Sequence, residues 1–271
     1  MKLLHFTDSH LSITPPPQGQ FHVQPFWRGE MRVLFERLAR VAAQADAIVF
    51  TGDATHGGGR REARFFFDLL STAAAGKPVF MVLGNHDVVN PAWEENFAGQ
   101  AEQYTNITMG DGVYPLGEID LLLMHGGYLS ADNAVTPGWD PKIFPVPGLS
   151  DDTIGAVDSA LGSNSIRPVV AATHCPSHFL PPSAAGFAAY VGAGMEVYST
   201  RMTAVLDKHP RVQCVLSGHI HFNSAKTFAN GRVHQSLASF AEYPCQVRLV
   251  ELTPGKLESR LISLAAHLEC E

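Results

Sequence analysis

The chain has 271 residues, of which 45% are hydrophobic and 17% are charged, a balance typical of a globular protein with a sizeable core. Its formal net charge is −7, so it lacks the general basic field that attracts nucleic acid or an anionic membrane surface. No apolar run approaches the roughly 20 residues that span a bilayer, and no secretory signal opens the sequence. We therefore expect a cytoplasmic protein in which residues 1–271 form a single domain.

Six short apolar runs each end in a polar turn, which predicts strands buried on both faces. In chain order they lie at 3–6, 47–50, 79–83, 121–124, 169–172 and 214–216. Four segments between them have the spacing of amphipathic helices, at 31–44, 61–75, 150–161 and, more weakly, 200–208. Strands that alternate with helices predict parallel β-α-β units and an α/β fold.

The pattern changes after residue 226. Short or alternating apolar stretches follow at 233–237, 247–252 and 257–264, with the turn signals NG and PG between them. We expect this tail to form antiparallel strands that close a second sheet.

The four cysteines are scattered and include no CxxC pair, which argues against both a disulfide framework and a zinc-thiolate site. They are Cys175, Cys214, Cys245 and Cys270. We expect free, buried thiols.

Polar side chains follow the end of every one of the six predicted strands. They are Asp8, His10, Asp53, His56, Asn85, His86, Asp87, His125, His174, His219 and His221. Ligands of open α/β sheets bind at the carboxyl ends of the strands, so these loops are expected to converge. Because an extended chain has a period of two, each D-x-H or H-x-H pair is expected to project both side chains to one face.

A lone histidine after a strand is more often a hydrogen-bonded structural residue, so the combination of clusters carries the prediction. Nitrogen and oxygen donors without cysteine suit Mn, Fe or Zn. Buried together, carboxylates and imidazoles are costly unless cations accompany them. The clusters therefore predict a metal site.

The order of these motifs resembles that of the calcineurin-like metallophosphoesterases. The matching motifs are D-x-H (Asp8, His10), G-D (Gly52, Asp53), G-N-H-D (84–87), a later histidine (His174) and G-H-x-H (218–221). The resemblance implies a four-layer αββα sandwich, in which two mixed β-sheets pack face to face between helices.

The resemblance also implies two divalent metal ions, Mn, Fe or Zn, and a role for each motif residue. One ion would be held by Asp8, His10 and His221, the other by Asn85, His174 and His219, and Asp53 would bridge them. A hydroxide bridging the two metals would be the nucleophile. His86 matches the position that protonates the leaving oxygen, and Asp87 is placed to orient its imidazole, although the family more often has glutamate there.

The remaining histidines match the motifs less directly. His56 resembles the GDxxH variant of the family's DNA-repair nucleases and some phosphodiesterases, and we favour a place behind the metal ligands over direct ligation. His125 competes with His174 for the fourth motif, and we prefer His174 because THCP followed by His178 resembles the family's segment before GHxH. Histidines without such context are expected to be structural or exposed: His5, His22, His209, His234 and His267.

Three long loops are expected to select the substrate, at 12–28, 126–149 and 178–198. The first contains Trp27 and Arg28, which suit contacts with a base and a phosphate, unless its aromatic residues pack on the sheet edge instead. Trp139 lies in the second, and Phe179, Phe187 and Tyr190 lie in the third.

Together these features predict a metal-dependent phosphoesterase, and we favour a phosphodiesterase of a small substrate such as a cyclic nucleotide. A phosphomonoesterase and a nuclease are the alternatives, and the acidic net charge argues against nucleic acid as a partner. A catalytically silent scaffold is least favoured, because the ligand set and His86 are all present.

Overall fold

The computed structural model describes residues 1–13, 28–142, 146–162, 165–178, 193–253 and 256–265. In chain order its elements are β1 (Lys2–Phe6), α1 (Arg28–Ala42), β2 (Ala47–Thr51), α2 (Arg60–Ala74), β3 (Val79–Val82), α3 (Asn85–Val88), α4 (Trp93–Ala101), β4 (Ile107–Met109), β5 (Gly112–Leu116), β6 (Ile119–Met124), β7 (Gly127–Leu129), β8 (Val135–Thr136), β9 (Pro147–Gly148), α5 (Asp151–Leu161), β10 (Val169–Thr173), α6 (Ala193–Asp207), β11 (Val212–Ser217), β12 (Ser224–Thr227), β13 (Val233–Ser236), β14 (Gln246–Thr253) and β15 (Lys256–Ser263). The expectations for His22, Trp27, Phe179, Phe187, Tyr190, His267, Cys270 and the side chain of Arg28 lie outside the described residues.

Two six-stranded sheets form the centre of the fold, and both are mixed. The first has the order β15-β14-β1-β2-β3-β4, in which β1 to β4 are parallel and β14 and β15 are antiparallel. The second has the order β12-β13-β11-β10-β6-β5, with four parallel strands between two antiparallel edges. The loop at 126–149 adds a small antiparallel sheet, β8-β7-β9.

Successive side chains of a strand point to opposite faces of its sheet, so each sheet packs against the other sheet on one face and against helices on the other. On β1, Leu3 points between the two sheets, where it belongs to the same buried cluster as Val170 of the second sheet. Its neighbours Leu4 and Phe6 point the other way, into a cluster with Leu34 of α1 and residues of α2. The helices α5 and α6 pack together over the second sheet, and their buried faces join the same apolar cluster as alternate residues of β10. The predicted αββα sandwich is confirmed.

Each of the six predicted strands and four predicted helices is present. Ser150 caps α5 as its sequence position predicts, because its Oγ accepts a hydrogen bond from the backbone N–H of Thr153 at 3.0 Å. The helix α4 was not predicted, although Trp93, Phe97 and Ala101 are spaced four residues apart in its nine-residue sequence.

The prediction for the C-terminal tail was partly wrong. β14 and β15 are antiparallel as expected, but β14 pairs with β1, so these two strands extend the first sheet. β13 joins the second sheet and runs parallel to β11. The apolar pattern of a strand indicates that it is buried, whereas its partner depends on packing between distant segments.

Three of the cysteines, Cys175, Cys214 and Cys245, are buried free thiols as expected. No helix among the described residues is long and apolar enough to cross a membrane. The carboxyl ends of β1, β2 and β3 and those of β10 and β11 all lead into the loops that carry the polar motifs.

Candidate metal centre

The motif residues leave their strands through an abrupt change of backbone conformation. Five of them have positive φ: Asp8 (54°), His10 (41°), Asp53 (56°), His219 (69°) and His221 (53°). Left-handed backbone costs a residue with a Cβ about 1–2 kcal/mol, so it persists where the surrounding structure fixes it, and such residues concentrate at functional sites.

Asp8 and His10 meet in one group as expected, but the expectation that the H-x-H pair projects to one face is wrong. Neither histidine of the G-H-x-H motif is in extended conformation, so the period of two does not apply to them. His219 and His221 instead point into two neighbouring groups of side chains.

The first group contains Asp8, His10 and His221. The Nε2 atoms of the two histidines are 3.0 Å apart, and Asp8 Oδ1 lies 3.3 Å from Nε2 of His221 and 3.8 Å from Nε2 of His10. Three potential ligand atoms therefore surround one point, at a spacing that a metal ion can fill.

The second group contains Asn85, His174 and His219. Asn85 Oδ1 lies 3.2 Å from His174 Nε2 and 3.1 Å from His219 Nδ1, and these two nitrogens are 3.2 Å apart. Two imidazole nitrogens and one amide oxygen face each other here.

Asp53 lies between the two groups. Its Oδ2 is 3.7 Å from His10 Nε2 in the first group and 3.4 Å from His174 Nε2 in the second, while its Oδ1 accepts the backbone N–H of His86 at 2.9 Å. Burial alone would raise the pKa of Asp53, but His174, His86 and His10 outweigh burial and hold it well below its ordinary value. The site thus contains one ionised carboxylate that faces both groups.

The donor set fits divalent cations. Although burial lowers the pKa of an imidazole, nearby carboxylates raise that of His174 to about 9 and that of His221 to about 10. The buried field of Asp8 and Asp53 therefore favours positive charge at both groups. Divalent cations that prefer nitrogen and oxygen ligands would supply that charge and use the facing lone pairs.

Hydrogen bonds outside the two groups fix the imidazole tautomers. His174 Nδ1 donates to the backbone carbonyl of Thr51 at 2.7 Å, and His221 Nδ1 donates to Glu242 Oε1 at 2.6 Å. Each Nε2 therefore presents its lone pair to the centre when the ring is neutral. Glu242 was not predicted, because no motif marks it and it lies 21 residues beyond its histidine.

The motif glycines allow the loops to approach each other closely. A Cβ on Gly218 would overlap Thr7 Oγ1 and the carboxylate of Asp8, and one on Gly84 would overlap the carboxylate of Asp53. A side chain at either position would displace a predicted ligand.

His86 lies beside the two groups without joining either. Its ring is edge-on to His10 at 4.7 Å and to Trp139 at 5.4 Å, and it stacks on His56 at 4.9 Å between centroids. Its Nδ1 donates to the backbone carbonyl of His56 at 2.8 Å. His56 therefore contacts His86 through both its main-chain carbonyl and its ring. The imidazoles of His10, His56 and His86 also lie close to one another.

Asp87 does not orient His86 as expected. Its two carboxylate oxygens accept the backbone N–H groups of Ala54, Thr55 and Gly84 at 2.9–3.1 Å. Burial and the neighbouring Asp53 raise the pKa of Asp87 to about 7. Asp87 therefore connects the loop that contains Ala54 and Thr55 to the loop that contains Gly84, and its short side chain lies between them.

Five other histidines among the described residues lie outside both groups and bond to other side chains. His125 bonds to Asp111 at 2.9 Å and lies outside both groups, whereas His174 lies in the second group. His178 bonds to Ser224, His5 to Thr51 and His209 to Asp158. His234 bonds to Ser177 and Arg232.

Comparison with known proteins identifies the family and the fold of this chain. The sequence model of the calcineurin-like phosphoesterases matches residues 1–223, whereas no curated protein matches the sequence. A dimetal phosphatase from Danio rerio has a similar structure, with a TM-score of 0.67 at 17% identity, covering 97% of this chain and 98% of that one.

Two larger proteins contain the same fold. A purple acid phosphatase from yellow lupin (Lupinus luteus) seeds gives a TM-score of 0.65 at 13% identity, covering 97% of this chain and 51% of that one. A putative 5'-nucleotidase from Staphylococcus aureus gives 0.60 at 14% identity, covering 97% and 54%. The family match over residues 1–223 establishes that the chain belongs to the calcineurin-like phosphoesterases, a family of metal-dependent hydrolases.

Proposed function

We propose that the protein is a dinuclear metal-dependent phosphodiesterase of small substrates, and that the whole chain forms its single domain. The observation that carries this proposal is the position of Asp53, whose Oδ2 lies within 3.7 Å of a ligand nitrogen in each of two groups. One carboxylate facing two sets of donors is the arrangement that a pair of neighbouring cations requires.

Asp8, His10 and His221 would hold one ion, Asn85, His174 and His219 the other, and Asp53 both. When bound, two such ions activate water as a nucleophile and neutralise charge on the phosphate. The tautomers set by Thr51 and Glu242 keep the Nε2 lone pairs of two ligands directed inward.

His86 would supply the proton to the leaving oxygen. Because Nδ1 donates to the carbonyl of His56, Nε2 is the atom available for proton transfer. The stacked ring of His56 and the edge contacts with His10 and Trp139 restrict rotation of the imidazole, so the proton is held in one direction.

The charges around the centre support a diester over a monoester. Among the described residues, the charged groups with the largest effects on the pKa of His10, Asp53 and His219 are imidazoles and carboxylates. A phosphomonoester dianion carries one more negative charge than a diester, and proteins commonly match such a group with arginine or lysine. A diester monoanion places less demand on the protein for additional positive charge.

The test uses metal-stripped protein reloaded with Mn²⁺ and compares bis(p-nitrophenyl) phosphate with p-nitrophenyl phosphate. Faster turnover of the diester is the expected result, and faster turnover of the monoester would identify a phosphatase instead.

The same preparation tests the proton donor. His86→Ala is expected to retain metal and to slow esters with poor leaving groups most, by roughly 10²- to 10⁴-fold. His209→Ala is the control, since His209 bonds to Asp158 away from the centre. Loss of metal from His86→Ala would make His86 a ligand and contradict its role as the acid.

A further inference from the structure

The strand β15 is a long, open edge of the first sheet. Among the described residues it pairs with β14 alone. It has eight residues, whereas the other edge strands of the two six-stranded sheets, β4, β5 and β12, have three, five and four. β5 also contains Pro115, which cannot donate a hydrogen bond to a neighbouring strand. Proteins usually keep edge strands short because their free backbone groups can pair with another strand, so β15 is the edge best suited to accept one.

The face of β15 that points toward the second sheet is apolar or small. Leu257 packs against the buried cluster between the sheets, and Ser259 Oγ accepts a hydrogen bond from Gln235 Nε2 of β13 at 3.0 Å. Leu261 comes next on this face, because side chains of a strand alternate between faces. It is 42% exposed, so the apolar stripe of β15 remains partly uncovered in the single chain.

The opposite face of β15 carries three exposed charges of alternating sign. They belong to Lys256, Glu258 and Arg260. Lys256 Nζ lies 2.6 Å from Glu258 Oε1, and Arg260 Nη2 donates to Gln44 Oε1 at 3.0 Å. Charges on an edge strand usually discourage pairing. Their effect on a particular neighbour depends on which charges that neighbour brings opposite them.

A second copy of β15, related by a two-fold axis, would lie antiparallel to the first. Because side chains alternate, the copies keep their inner faces on one side only in registers that differ by two residues. With Ser259 opposite its own copy, Glu258 lies opposite Arg260 twice and Leu257 lies opposite Leu261 twice. With Glu258 or Arg260 opposite its own copy, like charges meet. The strand is therefore complementary to itself in one register, and its charges oppose the two neighbouring registers.

We propose that the protein forms a symmetric dimer in which β15 pairs with β15 of a second copy, so that the first sheets of both copies become one continuous sheet. Backbone hydrogen bonds would supply affinity, and the opposed charges and leucines would fix the register. The exposed part of Leu261 would be covered by Leu257 of the other copy. A contact of this kind uses the same surface on both copies, so it closes at two chains. The inference is independent of the phosphodiesterase function proposed above.

Sedimentation velocity of the full chain at several concentrations tests this pairing. The wild type is expected to sediment with twice the mass of one chain. Glu258→Arg would leave arginine opposite arginine, and Arg260→Glu would leave glutamate opposite glutamate. Each variant is expected to raise the dimer dissociation constant about tenfold or more, because two attractive pairs become repulsive. Glu94→Arg makes the same change of charge at an exposed position of α4 and is expected to dimerise like the wild type.

A mixture of the two weakened variants gives the decisive measurement. Glu258→Arg has arginine at both positions and Arg260→Glu has glutamate at both, so each arginine of one chain would face a glutamate of the other. We therefore expect a heterodimer from two proteins that dimerise poorly alone. The double variant Glu258→Arg/Arg260→Glu exchanges the charges within one chain and is expected to recover the dimer.

Thermal unfolding checks that each variant is folded, and recovery of the dimer in the mixture shows the same for both single variants. A wild type that remains monomeric up to about 0.1 mM would overturn the inference. Single variants that dimerise as tightly as the wild type would also overturn it, because the contact would then lie elsewhere. A mixture that remains monomeric would contradict the pairing of Glu258 with Arg260.

Discussion

Glu242 provides the sharpest test of the proposed centre, because it contacts a ligand without being one. Its Oε1 lies 2.6 Å from His221 Nδ1, and this bond fixes which nitrogen faces Asp8 and His10. Loss of such a partner typically lowers metal affinity roughly 10- to 100-fold. The carboxylate of Glu242 is 28% exposed, so water screens part of its charge and we expect Glu242→Gln to fall toward the lower end of that range.

The assay is competition for Mn²⁺ between the protein and a chromogenic chelator. Glu251→Gln is the matched control, since Glu251 is 44% exposed and forms only a surface ion pair with Lys2. We expect weaker binding of one of two ions in Glu242→Gln and unchanged binding in the control. Equal affinities in the two variants would refute the role assigned to Glu242.

Three further predictions follow from particular residues. Asp53→Asn is expected to abolish occupancy of both metals, measured by elemental analysis, because the substitution removes the carboxylate charge that lies between the two groups; retention of two ions would contradict its bridging position. Gly218→Ala is expected to lose metal and to unfold at lower temperature, since the new Cβ would overlap Asp8, whereas the matched Gly155→Ala, with nothing within 4 Å of its Cβ, is expected to keep both properties. Burial and nearby cations lower the pKa of His178 to about 4 and that of His234 to about 3. Below about pH 6.5 the unfolded chain, in which the histidine pKa is near 6.5, binds more protons than the folded protein. The free energy of unfolding is therefore expected to fall as pH drops from about 6.5 toward 4. The variant His178→Gln is expected to reduce this pH dependence, measured in denaturant titrations. If the free energy of unfolding of His178→Gln changed with pH as much as that of the wild type, the contribution assigned to His178 would be contradicted.

The buried strands and the order of the motifs were predictable from sequence because both depend on local information. Runs such as 47–50 and 169–172 are apolar on both faces, and this pattern suffices to place a strand inside an α/β fold. The rule that ligands bind at the carboxyl ends of strands then brings Asp53 and His174 to one crevice. Sequence spacing also placed the cap of α5 at Ser150.

Other features depended on contacts between segments far apart in the chain. The pairing of β14 with β1 joins residues almost 250 positions apart, and no local pattern specifies that partner. The left-handed backbone at His219 and His221 divides two neighbouring imidazoles between two groups, where an extended chain would have kept them on one face.

The sequence by itself determined the six buried strands and the four main helices, and its resemblance to a known family implied which residues meet. The tertiary structure alone decided how those residues are held: Asp87 joins two loops, His56 supports His86, and Glu242 supports His221. The physical reason is that strand formation follows from the burial of neighbouring side chains, whereas the direction of a hydrogen bond depends on where distant loops come to rest.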